Sequence, residues 1–150
     1  MAGQEQTLRD DLKSAMRAKD GPRAQVLRTI LAAAKNRAIE LRVDALDEAE
    51  FIAVVKREAK QRAESLDFAR KADREELIRE HAAALAVVET YLPRQMSESD
   101  LRAAVAAVVA ETGATGVGPV MKELTKRHAG RYDGKTASRI AAEVLKGDGR

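Results

Sequence analysis

Arg23-Ala24-Gln25-Val26-Leu27-Arg28-Thr29-Ile30-Leu31-Ala32-Ala33-Ala34-Lys35-Asn36-Arg37-Ala38-Ile39-Glu40-Leu41 opens a run that reaches Leu92 without a glycine or proline. Its residues are mostly Ala, Leu, Glu, Lys and Arg, which favour helix. Leu27, Ile30, Leu31, Ala34, Ala38 and Leu41 recur at helical spacing and predict one apolar stripe. Asp20-Gly21-Pro22 precedes them, with Pro in the first turn, where its missing N–H does little harm.

Working outward, a helix over residues 4–19 carries Leu8, Leu12, Ala15 and Met16 on one face. Asp47 with Glu50 has the spacing of a capping box, and Leu46 with Phe51 that of a hydrophobic staple. A helix is therefore expected from Asp47. Asp73 with Glu76 repeats the capping pattern ahead of Leu77, His81, Ala84, Leu85, Val88, Tyr91 and Leu92. Beyond Pro93 the texture changes, with Gly113, Gly116, Gly118, Gly130 and Gly134 in close succession. Ser97 and Asp100, flanked by Met96 and Leu101, open a helix bearing Val105, Val108 and Val109. Further helices are expected from Gly118-Pro119 (Val120, Met121, Leu124) and after Asp133-Gly134 (Ile140, Ala141, Val144, Leu145). No stretch alternates at period two long enough for a strand. The expectation is an all-α chain: an N-terminal bundle of long helices over residues 1–92, then a small three-helix lobe over 93–150.

Composition excludes several chemistries. There is no Cys, so disulfides and thiolate sites are absent. His81 and His128 are the only imidazoles, too few for a His-rich zinc cluster. No metal or cofactor is expected. No run approaches the ~20 apolar residues of a membrane span, and residues 1–19 have no apolar leader segment. The expectation is a soluble cytoplasmic protein with no membrane partner. Aromatics are 3% of the chain, so the core must rest on Leu, Val, Ile and Ala. The net charge is +3. Lys+Arg against Asp+Glu is 17 to 17 through Leu92 and 10 to 7 from Pro93 onward. The excess therefore lies wholly in the C-terminal part, a pointer to polyanion binding.

A search for catalytic groupings finds none. No serine sits in a strand–turn–helix elbow, and the two histidines fall in different predicted lobes. His81 lies on an apolar stripe and reads as a core or boundary residue ahead of a base. His128 falls at a helix C-terminus, where a cation suits the dipole, with a polyanion contact as its second reading. Carboxylates are mostly caps or partners of Lys and Arg; Lys60 with Glu64 and Asp67 with Lys71 have i,i+4 spacing. Gly113-Ala114-Thr115-Gly116-Val117-Gly118-Pro119 reads either as an interhelical turn or as a turn presenting N–H groups to phosphate. It has neither the phosphate-loop nor the dinucleotide pattern. In the N-terminal lobe, Lys56 and Lys60 share a face. Arg62 points nearer the apolar side, as an ion-pair partner or as a clamp for a phosphate or partner carboxylate. Arg28, Lys35 and Ile39 line up with Asn36 beside them.

Four stretches together resemble the GatB/YqeY family, specifically its free-standing YqeY-like members. They are Val26-Leu27-Arg28 continuing to Asn36-Arg37-Ala38-Ile39; Lys56-Arg57-Glu58-Ala59-Lys60-Gln61-Arg62-Ala63-Glu64-Ser65; Tyr91-Leu92-Pro93-Arg94-Gln95-Met96-Ser97-Glu98; and Gly118-Pro119-Val120-Met121-Lys122 with Asp133-Gly134 downstream. Val117 and Pro119 replace the family's more usual Met-Gly-Lys approach to Val-Met.

The resemblance implies an all-α fold and kinship with the tail of the B subunit of the glutamine-dependent Asp/Glu-tRNA amidotransferase. There the tail helps hold tRNA, while the catalytic domains lie elsewhere and have no counterpart here. The leading expectation is a tRNA-binding accessory protein without its own catalytic centre. Lys122, Lys126, Arg127, Arg131, Lys135 and Arg139 are the candidates for RNA phosphate contacts. Arg28, Lys35, Asn36, Lys56, Lys60 and Arg62 are secondary candidates. Two alternatives stand beside it: a component of a carbon–nitrogen ligase with glutamine as amido-N-donor, acting with amidotransferase subunits, and a protein–protein adaptor.

Overall fold

The computed structural model describes residues 2–148. They form α1 (Ala2–Arg17), α2 (Gly21–Leu41), α3 (Glu48–Lys71), α4 (Glu75–Glu89), α5 (Glu98–Thr112), α6 (Val117–His128) and α7 (Gly134–Asp148). Among the described residues there is no strand, and the fold is all-α. No single helix among them is long and apolar enough to cross a membrane.

Short side chains set most helix starts. The Asp20 carboxylate accepts the Arg23 N–H at 3.2 Å, with Pro22 in the first turn of α2. Asp47 accepts the Glu50 N–H at 2.8 Å to open α3. Leu46 and Phe51, the expected staple, are 2% and 1% exposed. The Glu50 carboxylate does not reach back to Asp47. It accepts from Arg37 on α2 at 2.9 Å instead, joining two helices. Ser97 accepts the Asp100 N–H at 3.0 Å, and Asp133 accepts both the N–H and the hydroxyl of Thr136. Helix α6 starts at Val117 with Gly116 as its cap, so Gly118 and Pro119 lie inside its first turn.

Three expectations need correction. Asp73 does not cap α4; the N-cap is Arg74, with no side-chain capping bond. Asp73 has φ 53° and instead closes α3. Its N–H bonds the Arg70 carbonyl, and the Arg74 N–H bonds the Ala69 carbonyl, the 6→1 bond of a helix-ending left-handed turn. The backbone groups at the end of α3 take Asp73 before α4 can use it. Met16 and Leu41, placed on buried stripes by periodicity, are 54% and 39% exposed. Both lie in the last turn of their helices, beyond the final buried residues Ala15 and Ala38. The Asp67–Lys71 pair forms at 3.0 Å, whereas Lys60 and Glu64 make no ion pair among the described residues.

Two compact units divide the chain, Met1–Leu92 and Pro93–Arg150. In the first, α1–α4 enclose Leu8, Leu27, Ile30, Phe51, Val55 and Val88. Burying side chains of this size stabilises by about 1.5–3 kcal/mol each. The Tyr91 hydroxyl donates to Asp11 at 2.6 Å and ties the end of the unit to α1. Burial, the hydrogen bond and the Asp11 charge push the Tyr91 phenol up to about 12. In the second unit, α5–α7 enclose Leu101, Val105, Val108, Val120, Leu124, Ala137, Ile140 and Ala141.

Candidate functional sites

Helix α6 sorts its cations by face. Val120 and Leu124 are fully buried, and 100° per residue places Lys122 and Lys126 directly opposite them. Both lysines are exposed and neither has an ion-pair partner among the described residues. Arg127 sits on another face and reaches Glu111 of α5 at 2.7 Å and Glu123 at 3.1 Å. Those two hydrogen bonds raise its pKa above the usual guanidinium value.

Helix α7 repeats the division. Lys135, Arg139 and Lys146 share its outer face, away from Ala137, Ile140 and Ala141. Lys135 is exposed and unpaired among the described residues. Arg139 is held by Glu98 at 2.7 Å and Glu143 at 3.0 Å, and Glu143 also accepts from Arg102. This four-membered chain joins α5 to α7. Lys146 is absent from the cations singled out by sequence, although its spacing of seven from Arg139 was the signal. Arg131 donates from Nε to the Arg94 carbonyl at 3.0 Å. Of the six leading candidates, three lysines are open to a ligand and three arginines are engaged by the fold.

The secondary candidates also diverge. Arg28, Lys35 and Asn36 are exposed on α2, and Lys60 is exposed on α3. Lys56 is half-buried and engaged in an interaction. Arg62 is half-buried, with Nη1 3.4 Å from Nδ1 of His81 on α4. One turn before it, Glu58 has its pKa raised by burial, with the Arg62 and Arg57 charges opposing the shift. Among the described residues, no three His, Asp or Glu side chains could hold a metal ion together.

Comparison with known families matches residues 5–145 to the family described as Yqey-like protein. The chain belongs to this family. It is also 32% identical over 85 residues to Altered inheritance of mitochondria protein 41, mitochondrial, of Eremothecium gossypii. That match spans 57% of this YqeY-like chain and 46% of the relative's length.

The string from Tyr91 to Glu98 serves the fold at nearly every position. Tyr91 bonds Asp11. Gln95 Nε2 donates to the carbonyls of Pro93 and Gly130, each at 2.8 Å. The Met96 N–H bonds the Arg131 carbonyl at 2.8 Å. Ser97 caps α5 and Glu98 pairs with Arg139. The string from Lys56 to Ser65 is less absorbed, because its Arg62 meets a histidine rather than a carboxylate.

Proposed function

We propose that this YqeY-like chain is an accessory RNA-binding protein that holds tRNA through phosphate contacts and makes no bonds itself. One observation carries the reading: Lys122, Lys126 and Lys135 are exposed and uncompensated on the outer faces of α6 and α7, in the unit that holds the chain's whole positive excess. Lysine without a partner is a point charge free to displace counterions from a phosphate backbone. Arg127, Arg131 and Arg139 are second in order, since each must first release a protein acceptor. The working compartment under this reading is the cytoplasm, and association with amidotransferase subunits is its natural extension.

The test is tRNA affinity measured from low to moderate salt. Binding is expected to fall steeply. Replacing Lys122, Lys126 and Lys135 by Gln together should reduce the log–log salt slope by about 2–3, since each neutralised phosphate contributes about 0.7–0.9 to it. Folded protein that fails to bind tRNA even at low salt overturns the proposal.

A further inference from the structure

A cleft of about 610 Å³ opens in the first unit, between the start of α2 and the length of α4. Its apolar lining is Val26 from α2 and Ala83, Ala84 and Val87 from α4, of which Val26 and Ala84 are buried. Two half-buried guanidiniums from different helices line it, Arg23 of α2 and Arg62 of α3. Neither makes an ion pair within 4.0 Å among the described residues. The polar neighbour of Arg23 is the Tyr91 hydroxyl, and that of Arg62 is the His81 ring. The carboxylates nearby are otherwise placed. Asp20 caps α2, and Asp11 accepts the Tyr91 hydroxyl that Arg23 also meets. The Glu58 carboxyl feels the Arg62 charge without an ion pair within 4.0 Å among the described residues. Glu76 and Glu80 line the cleft exposed beside Arg79.

Arginine is rarely withdrawn from solvent unless it is paired, and its planar fork matches carboxylate and phosphate oxygens. An apolar floor with a few convergent polar groups, within about 300–1,000 Å³, is the usual form of a small-ligand site. We infer that this cleft binds a small organic anion, with its carboxylate or phosphate head on Arg23 and Arg62 and its apolar body along Val26, Ala83, Ala84 and Val87. Arg62, whose hydrogen-bond contact among the described residues is the neutral-or-cationic ring of His81 and not a carboxylate, thereby gains an anionic partner. The cleft owes nothing to the lysines of the second unit.

The experiment is an NMR titration of the full chain with octanoate, octyl phosphate and octylamine, which share one apolar body. Both anions should shift the Arg23 and Arg62 Nε–H signals and the Ala83 and Ala84 amides saturably, while octylamine leaves them in place. The tighter of the two anions identifies the head group. Arg62→Gln and Arg23→Gln should each weaken binding by about tenfold or more, as expected when a charge-assisted hydrogen bond is removed. Ala83→Leu, which adds bulk to the apolar lining and leaves both guanidiniums in the chain, should abolish the shifts. The inference is overturned by an unresponsive cleft in a well-folded spectrum, by equal shifts with octylamine, or by wild-type affinity in folded Gln variants. It is also overturned if tRNA moves these signals and the small anions do not.

Discussion

The two units finish their helices by different means. In the first, α1, α2 and α3 are each followed by a non-glycine residue in left-handed backbone: Lys19 at φ 56°, Arg42 at 57° and Asp73 at 53°. In the second, Gly113 at 68° and Gly130 at 76° occupy the corresponding turns after α5 and α6. Left-handed backbone costs a side-chain-bearing residue about 1–2 kcal/mol. The first unit carries that strain under the larger apolar core. The second has fewer buried side chains, uses glycine at its turns and knits α5 to α7 with ion pairs. A run without glycine is therefore not the same as a run without helix ends.

The largest effect that bears on this contrast comes from Lys19→Gly, Arg42→Gly and Asp73→Gly together. Relief of backbone strain, less the glycine entropy cost, should stabilise by about 2 kcal/mol in urea unfolding. A neutral or destabilised triple variant would mean these turns are unstrained. In the other unit, Gly113→Ala should destabilise by about 1 kcal/mol. No neighbouring atom lies within 4 Å of a Cβ built there, so only the backbone can be responsible.

The smallest effect concerns the ion pairs of the second unit. Hydrogen bonds from Arg102 and then Arg139 hold the Glu143 carboxyl below its ordinary value. Folding thus favours the ionised form, and its contribution is complete above the unfolded carboxylate pKa. It is lost as pH falls through the lower folded value. The thermal midpoint should therefore drop as pH falls below the ordinary carboxylate range, and Glu143→Gln should flatten that drop. An equal pH response in the variant would remove Glu143 from the account.

The helices were legible because their starts are local events. Asp20, Asp47, Ser97 and Asp133 each bind a group three residues on, and that spacing is visible in the chain. Asp73 misled because one residue had two possible duties, and only the 6→1 bond from Arg74 to Ala69 assigns it to the end of α3. The candidate cations were legible as charges but not as free or engaged. Arg139 meets Glu98 across 41 positions and Arg127 meets Glu111 on another helix, separations that no short-range pattern encodes. The Arg23–Arg62 cleft was invisible for the same reason: its walls are neighbours only after α2, α3 and α4 have packed.

The hydrogen bond between Tyr91 and Asp11 joins positions 80 residues apart. A ribosome adding about 5–20 residues per second takes about 4–16 s to cover that interval. The acceptor on the opening helix is therefore made several seconds before its donor exists. The tie between the two ends of the first unit is thus among its last contacts to form, after α1 has had time to pack on α2.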